Sequence, residues 1–259
     1  DNIMQDLFSI KGKVALVTGG SRGIGAMIAE GFLRAGAKVY ITARKQQELD
    51  ATCARLSEFG ECMAIVADLA ELEGVKQCAA EIAKHENSLD ILVNNAGATW
   101  GAPIDEFPEH GWDKVMDLNV KSVFFLSQQL LPQLRAAARN GDPARIINLS
   151  SVYALRYSHQ NTFSYSASKA AVLQLTQQLA ASLVKDNINV NAIAPGFFPS
   201  NMTAFLMEDE EALNSSIPMG RVGALEDAAG TAIYLCSRAA AYMTGGLLVI
   251  DGGTVVSAG

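Results

Sequence analysis

Seven short apolar runs, most of them parted from the next by an amphipathic stretch, constrain this chain more than any other feature. They are Val14–Thr18, Val39–Thr42, Cys62–Val66, Ile91–Asn94, Arg145–Ser150, Asn189–Ala194 and Leu247–Ile250. Val14-Ala15-Leu16-Val17 shows no polar alternation, as a strand buried on both faces requires. Between the runs, Gly25–Ala35, Gln46–Phe59, Leu72–His85, Gly111–Ala138 and Ser164–Val184 have the length and patterning of helices. Strand–helix alternation of this kind implies right-handed crossovers. It predicts an α/β, three-layer architecture in which a doubly wound, seven-stranded parallel sheet carries helices on both faces. With 259 residues, 49% hydrophobic, the chain can bury one sizeable core, and no repeat or linker divides it. A single domain over residues 1–259 is expected.

The 27 acidic and 20 basic side chains give a formal charge of −7, which argues against broad attraction to nucleic acid or to an anionic membrane. Cys53, Cys62, Cys78 and Cys236 are far apart in sequence and have neither a Cys-x-x-Cys pair nor clustered histidines, so no metal site is expected. Reduced thiols and a cytoplasmic location are the expectation. Asp1–Lys13 lacks the basic start and apolar run of a signal peptide, and no stretch reaches membrane-spanning length.

After the first run comes Thr18-Gly19-Gly20-Ser21-Arg22-Gly23-Ile24-Gly25, leading directly into a helix. Small residues let backbone approach a pyrophosphate, and a helix N-terminus offers unpaired N–H groups and a favourable dipole. Tight turns also use glycine for conformation alone; the strand before and the helix after favour the phosphate reading. The sheet then reads as a Rossmann-type dinucleotide fold, although the glycine spacing departs from G-x-G-x-x-G.

The end of the second run bears on the choice of nicotinamide cofactor. A carboxylate there would bond ribose hydroxyls and repel a 2′-phosphate, whereas this chain has Ile41-Thr42-Ala43-Arg44-Lys45. Arg44 can grip the phosphate in a forked contact and Arg22 can reach it from the glycine turn. Either arginine alone reads equally well as a solvated surface charge; together, beside the missing acid, they predict NADP(H).

Tyr165-Ser166-Ala167-Ser168-Lys169 opens a helix, and the four-residue spacing sets tyrosine and lysine on one face. A nearby ammonium favours phenolate and draws a phenol toward useful acid–base chemistry. Such pairs are common on helix surfaces. This one stands beside Asn94-Asn95-Ala96-Gly97 after the fourth run, Asn119 inside a long helix, and Ser150-Ser151 after the fifth.

With these motifs in this order, from about Gly12 to Gly253, the chain resembles the single-domain short-chain dehydrogenases/reductases, whose glycine turn is T-G-x-x-x-G-x-G. Among them it is similar to the 3-oxoacyl-[acyl-carrier-protein] reductases, including the rhamnolipid-associated kind. The resemblance implies a catalytic set of Asn119, Ser151, Tyr165 and Lys169: Ser151 polarises the carbonyl, Tyr165 supplies the proton, Lys169 binds ribose and Asn119 anchors a proton-relay water. Ser150 is the rival serine, and the Ser151-to-Tyr165 distance is one residue longer than the commonest spacing, so Tyr153–Phe163 is expected to hold a small insertion.

The resemblance further implies cofactor contacts from Gly19, Ser21, Arg22, Gly23, Ile24, Gly25, Arg44, Asp68, Leu69, Asn95, Ala96, Gly97, Tyr165, Lys169, Pro195, Gly196, Phe198 and Ser200. Plainer roles stand beside several of these. Asp68 is equally a helix cap; elsewhere Asn94 is either a cofactor contact or a sheet residue serving through backbone bonds, Asn119 is equally a structural amide, and Trp100 and Phe107 either face substrate or, as aromatics more often do, fill the core. His85, His110 and His159 read as surface residues.

Residues 197–216 are the least patterned part of the chain and are expected to form a substrate lid. The implied activity is reversible hydride transfer between NADP(H) and a carbonyl or secondary alcohol, with a 3-oxoacyl thioester or related ketone expected. A sugar or polyol dehydrogenase is the alternative within the family. A non-catalytic NADP-binding regulator is the alternative of another class, whose mark would be a broken Ser-Tyr-Lys set. A homotetramer is the expected assembly.

Overall fold

All seven apolar runs are strands: β1 Val14–Thr18, β2 Lys38–Ala43, β3 Cys62–Val66, β4 Ile91–Asn94, β5 Ala144–Leu149, β6 Ile188–Pro195 and β7 Leu247–Ile250. They form one parallel sheet in the order β3-β2-β1-β4-β5-β6-β7, in a computed structural model that describes residues 3–200 and 209–257. Val17 lies between Ile41 of β2 and Val93 of β4. The chain therefore leaves β1 toward one edge and resumes at β4 on the other side. That reversal opens a crevice beyond the carboxyl ends of β1 and β4, where ligands bind in sheets of this kind.

The helices are α1 Ile3–Asp6, α2 Gly23–Arg34, α3 Gln46–Leu56, α4 Leu72–His85, α5 Glu109–Met116, α6 Ser122–Gln129, α7 Leu131–Ala137, α8 Phe163–Leu183, α9 Glu210–Ser216 and α10 Leu225–Cys236. Alternate strand residues serve opposite layers. Ala15 and Val17 pack with Ile28 and Phe32 of α2 and with Ala232 and Leu235 of α10. Leu16 packs with Ile82 of α4, Leu126 of α6, Leu134 of α7 and Leu183 of α8. Burying a side chain such as Phe32, which is fully inaccessible, contributes about 1.5–3 kcal/mol.

The structure corrects several boundaries. α3 stops at Leu56 rather than Phe59, and α2 starts two residues before Gly25. The helix expected over Gly111–Ala138 is three helices. A π-turn, Asp117–Lys121, joins α5 to α6, and the chain breaks at Leu130, where Pro132 suits the start of α7. α10 escaped the strand–helix reading because Leu225-Glu226-Asp227-Ala228-Ala229-Gly230 is small and mixed in character. It nevertheless packs so closely on α2 that a Cβ added at Gly31 would collide with Ala229.

Within the expected lid, residues 201–208 lie outside the described residues. Residues 210–216, read as unpatterned, are helical, and Asp209 caps them by accepting from the Ala212 N–H at 3.0 Å. Among the described residues no helix is long and apolar enough to cross a membrane.

Candidate active site

β5 and α8 bring the serines, tyrosine and lysine together. Ser150 and Ser151 follow β5 directly and both are buried, but their hydroxyls do different work. Ser150 donates to the Lys169 carbonyl at 2.8 Å, fastening the strand end to α8. Ser151 caps a short 3-10 turn, Val152–Ala154, by accepting from the Tyr153 N–H at 3.1 Å, and its hydroxyl is close enough to the Tyr165 phenol to favour the phenolate. One turn along α8, Lys169 is buried, with Nζ 5.6 Å from the Tyr165 ring centre, and donates to the Leu149 carbonyl at 2.9 Å.

Asn119 sits in the π-turn and is buried. Its Oδ1 accepts from the Ala98 N–H at 2.8 Å, and its Nδ2 donates to the Ala98 carbonyl at 3.0 Å and to Ser168 Oγ at 3.0 Å. Ser168 in turn donates to the Tyr165 carbonyl at 2.7 Å. This explains an asparagine inside a helix: it ties the loop after β4 to the turn of α8 that carries Tyr165.

The electrostatics run against the expectation that Lys169 pulls the phenol down. Burial pushes the Tyr165 phenol above its usual range; the Ser151 hydrogen bond opposes this and the neighbouring Tyr153 adds to it. Burial lowers Lys169 to about 8. The physical reason is that the same low-dielectric enclosure disfavours the charged form of both groups, phenolate and ammonium alike.

On the other side of the crevice lies the glycine turn. Gly19 takes φ +60°, and a Cβ there would stand 2.9 Å from Ala96 Cα, so the turn after β1 presses directly on the loop after β4. Asn95 locks the two loops, donating through Nδ2 to the carbonyls of Thr18 and Gly19 at 3.0 and 3.1 Å. Thr18 Oγ1 accepts from the N–H groups of Asn95 and Ala96, each at 2.9 Å. Gly97 faces Asn119 and Lys169, with its Cβ position 3.7 Å from Nζ.

Arg22 precedes α2 without any side-chain cap, which leaves the amides of Gly23, Ile24 and Gly25 at an uncapped helix start suited to an anionic ligand. Arg44 is exposed just past β2, and no carboxylate occupies the end of that strand. These features fit a 2′-phosphorylated dinucleotide.

Other expected contacts are more varied. Ser21 and Arg22 both face α3. Asp68 folds onto the Ala70 N–H at 3.1 Å, and Glu71 rather than Asp68 stands at the cap of α4; Leu69 is buried. Pro195 ends β6, and the Gly196 N–H donates to the Ile250 carbonyl at 3.0 Å. Phe198 is buried in the core with α10, while Ser200 rests against the glycine turn, 3.2 Å from a Cβ placed at Gly23.

Three features escaped the sequence reading. Thr18 is the hub between the β1 and β4 loops. A buried polar chain crosses the sheet: Asn94 Nδ2 donates to Ser127 Oγ at 3.3 Å and to Asn148 Oδ1 at 2.9 Å, and Asn148 Nδ2 donates to Thr176 Oγ1 at 3.0 Å. Asn94 thus serves the sheet, through its side chain rather than by backbone bonds alone. The third is Glu48 of α3, whose carboxylate lies 3.7 Å from Arg22 and accepts from Ser21 Oγ at 3.4 Å. The only sequence signal for the polar chain was an asparagine beside Val93 in β4 and between Ile147 and Leu149 in β5.

Comparison with known proteins agrees with this architecture. A family profile described as Enoyl-(Acyl carrier protein) reductase matches residues 19–255. The rhamnolipids biosynthesis 3-oxoacyl-[acyl-carrier-protein] reductase of Pseudomonas aeruginosa is 51% identical over 253 residues, covering 96% of this chain and 99% of its own. A 2-dehydro-3-deoxy-D-gluconate 5-dehydrogenase of Dickeya dadantii is 38% identical over 95% of this chain and 96% of its own. The structure of the Pseudomonas aeruginosa RhlG/NADP active-site complex superposes with a TM-score of 0.93 at 50% identity, covering 96% of this chain and 99% of the other. For a gluconate 5-dehydrogenase from Burkholderia cenocepacia in complex with NADP and tartrate, the TM-score is 0.88 at 32% identity, with 98% and 99% covered. By fold, motif order and likeness over nearly its whole length, this chain belongs to the short-chain dehydrogenase/reductase family.

Proposed function

We propose that the protein is an NADP(H)-dependent reductase of 3-oxoacyl thioesters or closely related ketones, working through Ser151, Tyr165, Lys169 and Asn119. The observation that carries this reading is the convergence of buried Ser151 and Lys169 on a half-buried Tyr165 opposite an uncapped glycine turn that carries Arg22, with Arg44 and no acid at the end of β2. A protein that only senses the dinucleotide would use the cofactor-binding Tyr165 and Lys169 but has no need of the Ser151 hydroxyl beside the phenol.

NADPH, when bound, supplies the hydride. Ser151 donates its hydroxyl to the carbonyl oxygen and orients it. Tyr165 hands its phenolic proton to that oxygen as negative charge develops there. Lys169, buried beside the phenol and lowered to about 8, exchanges protons readily near neutral pH and refills the site through a relay anchored at Asn119.

Apolar surroundings support a thioester over a sugar acid. The stretch between Ser151 and Tyr165 exposes Leu155, Tyr157 and Phe163, and Phe163 meets Phe107 with ring centres 5.7 Å apart. His159, Gln160 and Asn161 are exposed in the same stretch, so it is the apolar members that favour the thioester. The relative at 51% identity is a 3-oxoacyl reductase, which supports the same substrate class.

The cytoplasmic, homotetrameric enzyme is part of this reading. Four free cysteines support the compartment. Exposed Trp112 and Phe124 on α5 and α6, and Val249 on the edge strand β7, support burial against further copies.

The test is a substrate panel of 3-oxoacyl thioesters of graded chain length, simple ketones and sugar acids, each with NADPH and NADH, followed by cofactor absorbance. Thioester reduction with NADPH is expected to dominate. Preferential turnover of sugar acids would replace this reading with the polyol one.

A further inference from the structure

Residue Glu48 belongs to none of the catalytic or phosphate-binding groups considered above, yet it faces them. It stands in the first turn of α3, half-buried, with one carboxylate oxygen serving both Arg22 at 3.7 Å and Ser21 Oγ at 3.4 Å. One turn further along, Thr52 donates to the Ser21 carbonyl at 2.7 Å. Between them Leu49 is fully buried in the α2-side core, which anchors the face of α3 whose Glu48 and Thr52 meet the glycine turn. Arg44 and Lys45 lead directly into this helix, so the same few residues gather three cations and one anion.

We propose that Glu48 is a specificity-determining residue of the dinucleotide site, acting as an internal rival to the 2′-phosphate for Arg22 and Ser21. This rests on the assignment of Arg22 and Arg44 to that phosphate. In the free protein the carboxylate draws the half-exposed Arg22 toward the turn. When a 2′-phosphorylated dinucleotide arrives, Arg22 must be shared or surrendered, and the phosphate meets a carboxylate of like sign. A dinucleotide with free ribose hydroxyls meets neither cost. Glu48 therefore narrows the preference for the phosphorylated cofactor that the two arginines create.

The test measures binding rather than turnover. NADP+, NAD+ and adenosine 2′,5′-bisphosphate are titrated calorimetrically into wild type, Glu48→Gln, Arg22→Gln and the double variant at low and high salt. Thermal melting checks that each is folded. The amide keeps a contact to Ser21 and removes the charge. Exposed ion pairs are weak, so NADP+ and the bisphosphate are expected to bind Glu48→Gln about two- to fivefold more tightly, and NAD+ no more tightly than wild type. The gain should shrink at high salt and shrink in the Arg22→Gln background, where only the like-charge repulsion between carboxylate and phosphate is left to relieve.

Unchanged or weaker NADP+ binding in folded Glu48→Gln would overturn the proposal while leaving the phosphate site intact. An equal gain for NAD+ would overturn it as well, since the effect would then be a general field. Wild type that binds NAD+ as tightly as NADP+ would instead remove the phosphate site itself, and the role of Glu48 with it.

Discussion

Ser150 and Lys169 are joined by a 2.8 Å hydrogen bond from the serine hydroxyl to the lysine carbonyl, which commits one of two adjacent serines to structure and leaves the other facing Tyr165. The two substitutions should part accordingly. Ser151→Ala is expected to lower kcat by about 100-fold or more in a folded protein that still binds NADPH. Ser150→Ala should chiefly reduce stability. Steady-state rates beside cofactor fluorescence distinguish them, and an equal or greater kcat loss in Ser150→Ala would reverse the assignment.

Tyr165→Phe keeps the ring and removes the acid. Reduction should fall by at least about 100-fold with NADPH affinity little changed, whereas Lys169→Ala should damage both. Near-normal turnover in folded Tyr165→Phe would show that the proton comes from elsewhere.

Lys169 gives a stability prediction with a definite sign. Its pKa in the fold is about 8, against an ordinary 10.5, so between those values the unfolded chain holds a proton that the native chain has released. Stability therefore rises with pH through that window and carries the full penalty below it. Wild type should gain on Lys169→Met between pH 7.5 and 9.5 in urea unfolding without cofactor. A constant gap would mean that the buried lysine titrates normally.

Asn119→Ala strips partners from both backbone groups of Ala98 and from Ser168. A cost of about 1–3 kcal/mol is expected, together with a lower kcat, because the turn that aims Tyr165 loses its tie. Urea midpoints and rates measured on one preparation check both, and an unaltered midpoint would count against the tie.

Arg44→Asp should weaken NADPH on the order of tenfold and relatively favour NADH, since a forked cation is exchanged for the carboxylate that ribose hydroxyls prefer. Wild type using NADH as efficiently as NADPH would contradict the cofactor assignment. Light scattering is the companion measurement for assembly; a dilute monomer with full activity would argue against the tetramer.

The seven strands were legible because a two-sided buried strand leaves uninterrupted apolar residues, as in Val14-Ala15-Leu16-Val17. The Ser-Tyr-Lys set was legible because its spacing and motif order are local. What depended on packing was not. α10 carries Ala228, Ala229 and Gly230 where a stronger apolar stripe would have announced it, and its partner is α2, some two hundred residues earlier. Glu48 was hidden because its role arises from two turns of chain meeting in space, and α3 is otherwise an ordinary surface helix. The pKa directions of Tyr165 and Lys169 were not legible because spacing shows that two groups are neighbours without showing how burial opposes the charged form of each.

The π-turn at Asp117–Lys121 makes this part of the chain counted as well as composed. Each residue of a helix advances the direction of its side chains by about 100°. Val115 before the turn, Asn119 within it and Val123 and Leu126 after it are all buried, and the surplus residue keeps the buried faces of the two halves in phase. Removing any one residue between Asp117 and Lys121 would yield a more regular helix by every local measure. It would also swing one apolar stripe into solvent and turn the amide of Asn119 away from Ala98. Length matters here more than residue identity, and a single-codon deletion should be less forgivable than most substitutions within the same five positions.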